Sequence, residues 1–213
     1  MEASSLFYKA APLNVNEKGL HPTLVLLHGR GADENDLLEL ASSFDHRLLI
    51  ISVRAPYQFS YSGYTWFDLP EMDTPNIQQI LESRDRLMRF LEDIQQRYPV
   101  DPQRIFLFGF SMGAMMSLLV SLSSPEKIKG VAAHSGLLLQ HEQVHYQWEK
   151  IEHNSFFIAH GRYDSIVPVE LGRQAHRLLT EAKANILYRE YSIEHTISEE
   201  SLNDVAAWLK RQI

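Results

Sequence analysis

Three side chains, far apart in the chain, offer the chemistry of acyl transfer. Ser111 lies in Gly109-Phe110-Ser111-Met112-Gly113, Asp164 in His160-Gly161-Arg162-Tyr163-Asp164-Ser165-Ile166-Val167-Pro168, and His195 in Tyr191-Ser192-Ile193-Glu194-His195-Thr196-Ile197. An unassisted serine hydroxyl is a weak nucleophile at neutral pH. It needs a base within hydrogen-bond reach to take its proton, and the base needs an acid to orient it. Where this machinery is built on a parallel sheet, the chain order is serine, acid, histidine. Asp164 follows Ser111 by 53 residues and His195 follows Asp164 by 31, so the order is met with room for whole strand-helix units between them.

Each residue taken singly has a plainer reading. Ser111 could cap the helix of an ordinary glycine-containing turn, Asp164 could be a turn or helix-capping acid, and His195 could be one surface histidine among ten. Context favours the joint reading. G-x-S-x-G by itself is a weak signal, but here it follows the apolar run RIFLF and precedes the charge-free run Met112–Ser124. A tight strand-to-helix turn strains the serine backbone, its flanking glycines remove clashing side chains, and the helix N-terminus favours nearby negative charge. His28, His134 and His160 compete for the role of base, since each follows a strand-like run; all three precede Asp164, which breaks the order. His28 and His160 are expected to brace the turns that their own His-Gly pairs begin.

Acyl transfer also needs donors for the oxygen that becomes an anion. The first strand-like run ends Leu27-His28-Gly29-Arg30-Gly31-Ala32-Asp33, and its glycines let backbone N–H groups point at a ligand. The expected donors are the N–H of Met112, just after the nucleophile, and the N–H of Arg30. The plainer alternative is a connecting turn. Neither G-x-G-x-x-G nor G-x-x-x-x-G-K-[ST] occurs, which disfavours a phosphate site.

These positions require elements that end beside one another. Strands are expected at Thr23–Leu27, Leu48–Val53, Arg104–Phe108, Ile128–His134, Ser155–His160 and Ile186–Tyr191, several of them apolar without alternation. The clearest helix runs from Pro75 to Tyr98 behind a Thr74 cap, and the last starts at Ser198 with a stripe of Leu202, Val205, Ala206, Leu209 and Ile213. Alternating strands and helices give an α/β fold with a mostly parallel sheet covered on both faces, and its sites lie beyond the carboxyl ends of the strands. The aromatic segment Tyr57–Asp68 is read two ways, as a wall of an acyl pocket or as a loop packed on the sheet.

The 213 residues show no repeat or linker, so one domain spanning 1–213 is expected. With 45% hydrophobic and 22% charged residues the composition is that of a globular protein, which excludes disorder and collagen. A net charge of −7 repels phosphates and anionic lipid, so nucleic acid is not an expected partner. The absence of cysteine removes disulfides, thiolate zinc sites and a thiol nucleophile. No apolar run is long enough to span a bilayer and MEASSLFYKAAP does not read as a secretory signal, so a cytoplasmic location without a transmembrane segment is the default expectation.

The LHGRGAD segment, Trp66-Phe67-Asp68, GFSMG, HGRYDSIVP and a histidine before a closing helix together resemble the α/β-hydrolase fold. Within it, the chain is similar to the compact phospholipase/carboxylesterase family that includes acyl-protein thioesterases. The resemblance spans Thr23 to Ile213, with HGRYDSIVP close to the family's HG-x-x-D-x-x-V-P stretch. It implies a single-domain fold without a large lid, with Ser111 as nucleophile, Asp164 as orienting acid and His195 as base, and Arg30 and Met112 donating backbone N–H groups. It implies a small-molecule ester or thioester substrate with no cofactor and no metal, and it admits a homodimer. One departure stands out: the family usually has glycine just before the histidine, where this chain has Glu194. The alternatives are a non-catalytic protein of this fold binding a small hydrophobic ligand or partner, and a metal-dependent enzyme using its histidines. The latter is disfavoured because no H-E-x-x-H spacing occurs.

Overall fold

Strands covered on both faces can be apolar at every position. The computed structural model describes residues 6–11, 19–60, 62–69 and 74–213, and it sets such strands at the centre of a seven-stranded sheet. In chain order the elements are β1 (Tyr8–Ala10), β2 (His21–Leu27), β3 (Leu49–Val53), β4 (Tyr57–Gln58), β5 (Tyr64–Thr65), α1 (Ile77–Arg97), β6 (Val100–Phe110), α2 (Met112–Ser123), β7 (Gly130–His134), β8 (Ser155–Gly161), α3 (Val169–Glu181), β9 (Asn185–Tyr191) and α4 (Glu199–Lys210). The sheet order is β1-β3-β2-β6-β7-β8-β9, with β4 and β5 forming a separate ribbon. β1 is antiparallel to β3, and the other pairings in the large sheet are parallel.

Successive residues of one strand serve two cores. Ile105 and Leu107 join the layer under α1, α2 and α3, while Phe106 and Phe108 join the layer under α4 and the 3-10 turn Leu37–Ser43. Phe106 and Phe108 are fully buried, each stabilising the fold by about 1.5–3 kcal/mol. The α2 segment MGAMMSLLVSLS carries no charge, and all but its last residue are buried. Among the described residues no separate cap domain interrupts this order.

All six expected strands are present, and β2 and β6 start earlier than the apolar runs suggest. α1 departs at its start. Its cap is Asn76, not Thr74, because the Asn76 side chain accepts the Gln79 N–H at 3.2 Å while Gln79 is bound to Asp68 at 2.6 and 2.9 Å. Asn is the stronger capping residue, and Pro75 is left in the lead-in, where it lines the cavity described below. α4 is capped by Ser198, beside which its start was expected, through a reciprocal cap with Ser201, and Trp208 joins its buried stripe.

Candidate active site

The strand order reverses between β2 and β6: from β2 the chain moves outward to β3, then crosses back to β6 and proceeds the other way. Leu27 lies opposite Gly109 in that pairing, so the loops leaving the two strands open side by side at the switch point. Ser111 sits on the β6-to-α2 turn with φ +56° and ψ −119°, a conformation costing a non-glycine residue about 1–3 kcal/mol. The turn is held by the Ser111 N–H on His134 O (2.9 Å) and the Met115 N–H on Ser111 O (3.1 Å). A Cβ at Gly113 would stand 1.9 Å from Leu27 O, so only glycine lets α2 approach β2 this closely.

The serine side chain makes no cap bond to α2. Its Oγ lies 3.0 Å from His195 Nε2, and His195 Nδ1 lies 2.7 Å from Asp164 Oδ2. A carboxylate only accepts, so Nδ1 donates and Nε2 is left to receive the serine proton. The other Asp164 oxygen accepts the N–H groups of Ile166 (3.0 Å) and Val167 (2.8 Å). Burial pulls the Asp164 pKa upward, but the bonds from His195, Val167 and Ile166 outweigh it and hold the carboxyl below its ordinary range. The imidazole lies against Phe110, ring centres 4.9 Å apart.

Among the described residues the competing histidines make other hydrogen bonds, although His160 Nε2 also lies 3.5 Å from Asp164 Oδ2. His28 binds Gly29 O at 2.7 Å and accepts the Ala55 N–H at 3.0 Å, bracing its own turn as expected. His160 binds Val167 O at 2.8 Å, bracing the loop that carries Asp164. His134 lies beneath the site between Ser135 and Ser201 (3.1 and 3.0 Å); burial, then the neighbouring His160 and His195, lower its pKa to about 3.

Ser111 and His195 open into a cavity of about 650 Å³ whose walls are mostly apolar. Arg30 and Met112 line it too. Met112 is the first residue of α2, where N–H groups lack intrahelical acceptors, and among the described residues no backbone acceptor takes the Arg30 N–H. Phe59, Phe67, Leu69, Met115, Leu137 and Leu139 supply the cavity's apolar lining. The aromatic segment divides between two environments: Phe59 and Phe67 line the cavity, whereas Trp66 is buried with its Nε1–H on His28 O at 2.9 Å. Leu137 and Leu139 escaped the sequence reading because they lie in an irregular segment after β7, without periodicity. Glu194, in place of the family's glycine, is exposed and outside the positive-φ region, so its position makes no demand for glycine. Its carbonyl instead packs against Gly161, where a Cβ would come within 2.3 Å. Among the described residues no three His, Asp or Glu side chains gather as a metal-binding group, and no helix is long and apolar enough to cross a membrane.

A family model described as phospholipase/carboxylesterase matches residues 13–213. The chain is 27% identical over 216 residues to acyl-protein thioesterase 1 of Emericella nidulans, covering 90% of each protein. It is 26% identical over 218 residues to acyl-protein thioesterase 1 of Saccharomyces cerevisiae, covering 90% of this chain and 92% of that one. Among solved structures, esterase PE8 superposes with a TM-score of 0.81 at 27% identity, over 98% of this chain and 99% of that one. The Bacillus cereus carboxylesterase superposes at 0.85 over 99% and 96%, and its 22% identity speaks to fold alone. The chain belongs to the phospholipase/carboxylesterase family of α/β-hydrolases and is an enzyme of the serine-hydrolase type.

Proposed function

We propose that the protein hydrolyses carboxylic esters or thioesters of small molecules through an acyl-enzyme on Ser111. The observation that carries this reading is the unbroken chain Ser111 Oγ–His195 Nε2 (3.0 Å) and His195 Nδ1–Asp164 Oδ2 (2.7 Å) at the wall of an apolar cavity. Ser111 Oγ attacks the carbonyl carbon while His195 Nε2 takes its proton. The carbonyl oxygen becomes an anion held by the N–H groups of Arg30 and Met112. Collapse breaks the bond to the alcohol or thiol, which leaves with the proton from His195, and the acyl group stays on Ser111. Water then gives a proton to His195, attacks the acyl carbon and releases the acid, returning the proton to Ser111. Asp164 stays ionised throughout and stabilises the imidazolium. The cavity takes the acyl chain, with Phe59, Phe67 and Leu139 against it.

The test is labelling with a fluorophosphonate, followed by peptide mass mapping, beside hydrolysis of p-nitrophenyl esters and acyl-thioesters. An adduct on Ser111 that abolishes hydrolysis is expected. Binding of hydrophobic ligands with no adduct and no turnover would instead mark a non-catalytic member of the fold.

A further inference from the structure

An oxyanion donor must be held to about half an ångström, yet Arg30 lies between two glycines, and Gly31 has φ +83°. Such a segment is soft by itself, so its position must come from its neighbours. The backbone of Tyr64 grips the two residues after Arg30: the Gly31 N–H donates to Tyr64 O and the Tyr64 N–H donates to Ala32 O, both at 2.8 Å. Gly63 presses on the same segment, since a Cβ there would lie 1.9 Å from Gly31 O. Tyr64, however, sits in a ribbon of two residues per strand, far too short to be stable alone.

The Tyr64 side chain supplies the anchor. Its hydroxyl accepts from Arg54 Nη1 at 3.0 Å, and the guanidinium lies over its ring at 4.4 Å. The same guanidinium also lies over the Phe7 ring at 4.2 Å. Its remaining donors make a two-point pair with Glu34, Nε to Oε2 at 2.6 Å and Nη2 to Oε1 at 2.9 Å. Glu34 is only 1% exposed and stands four residues after Arg30 on the same loop. The contacts therefore close a ring from the Arg30 loop through Glu34, Arg54 and Tyr64 back to Gly31 and Ala32.

We propose that Glu34 and Arg54 are positioning residues for the oxyanion-binding backbone, their ion pair holding the Arg30 N–H through Tyr64. The inference rests on the donor role assigned to Arg30 above. Lysine cannot replace this arginine, because a single ammonium cannot span Glu34 and Tyr64 with fixed planar geometry. Removing Arg54 alone would strand a buried carboxylate, partly offset by Lys9 at 3.7 Å. The informative variants are therefore Arg54→Lys, which keeps the charge, and the pair Glu34→Gln with Arg54→Met, which removes both charges.

With p-nitrophenyl butyrate, both variants are expected to lose about 10–100-fold in kcat with KM within threefold, because an oxyanion contact is stronger in the transition state. A trifluoromethyl ketone supplies a second readout. Ser111 Oγ adds to its carbonyl, His195 takes the serine proton and the ketone oxygen becomes an anion in the same place, so its Ki should rise by the factor that kcat falls. Tyr64→Phe deletes only the gripped hydroxyl, is the change least prone to unfold the chain, and should lower kcat about threefold with a matching rise in Ki. Folded variants, checked by circular dichroism, that keep kcat and Ki within 1.5-fold overturn the inference, as does a rise in KM alone. Wild type left unlabelled at Ser111 by fluorophosphonate would fail the underlying reading; labelled wild type with unaffected variants would fail this inference only.

Discussion

His195 meets Asp164 through a 2.7 Å bond to a carboxylate whose side chain is 0% exposed, while the opposite oxygen is filled by two backbone N–H groups. The acid is thus committed on both sides, and the imidazole has one tautomer compatible with it. Asp164→Asn keeps the shape but presents an amide in which a donor can face Nδ1, favouring the tautomer that places a hydrogen on Nε2, toward Ser111. A fall in kcat of roughly 10³–10⁴-fold with an unchanged far-ultraviolet spectrum is expected for p-nitrophenyl esters. A loss below tenfold would mean that another group orients His195.

Ser111 carries φ +56° so that its hydroxyl stands at the turn, and its backbone strain is separable from its chemistry. Ser111→Ala and Ser111→Gly should both lose at least roughly 10³-fold in turnover. Alanine keeps the Cβ that makes the conformation unfavourable, and glycine does not. The glycine variant should therefore be more stable than the alanine variant by about 1 kcal/mol, a Tm difference of about 2–4 °C for a chain of this size. Equal melting temperatures would show that the turn stores no strain.

His134 sets a stability window in pH. Burial first, then the nearby His160 and His195, lower it from an ordinary 6.5 to about 3, and burial also lowers His28 and His160. As pH falls below 6.5 the unfolded chain binds protons that the native chain refuses, so this stability is full above 6.5 and is lost progressively toward pH 3. Each such histidine contributes a slope of up to about 1.4 kcal/mol per pH unit. Glu190, held near 2 mainly by its bonds from Arg173, begins to lose its contribution only around its ordinary 4.5, so the loss between 6.5 and 4.5 belongs to the histidines. Urea unfolding at pH 7, 6 and 5 should show falling stability, with a shallower slope in His134→Asn. A flat profile in the wild type would refute the assignment.

The candidate site was legible in the sequence because each of its three side chains falls within about four residues of a strand's carboxyl end, and parallel strands bring those ends together. The supporting structure was not. β1, β4 and β5 have two or three residues each, too few for any period to register. The start of α1 was displaced because Thr74, Pro75 and Asn76 all suit a helix entrance, and the choice is made by the distant pairing of Gln79 with Asp68. Glu34 and Arg54 are 20 residues apart with no local pattern joining them, so their pairing exists only once β2 and β3 lie side by side. Trp208 was omitted from the stripe of α4, yet it is buried with its ring centre 5.9 Å from that of Phe157.

The cavity makes a prediction about chain length. Its volume of about 650 Å³ and apolar walls accept methylenes without stranding polar groups. Burying one CH₂ is worth about 0.8 kcal/mol, close to fourfold in kcat/KM if fully realised. From p-nitrophenyl acetate to hexanoate, kcat/KM should rise about two- to fourfold per methylene. Leu139→Trp, which fills part of one wall, should remove that rise for the longer esters and leave the acetate within threefold. A series that falls with length would place the acyl group outside this cavity.

Arg30 separates main-chain from side-chain action at one residue. Its guanidinium is exposed, lies over Phe59 at 4.6 Å and reaches Leu69 O at 3.4 Å, so the side chain spans Phe59 and Leu69, while the residue lines the cavity it shares with Ser111. A main-chain donor survives truncation of its side chain, so Arg30→Ala should keep kcat within about tenfold on a neutral short-chain ester, less than the 10²–10³ that follows outright loss of a donor. Losing the bridge between Phe59 and Leu69 loosens one wall, and the effect should fall on KM for long acyl chains before it touches kcat for acetate. A thousandfold fall in kcat with acetate would mean that the guanidinium itself meets the transition state, and the oxyanion contact would then belong to the side chain instead of the backbone.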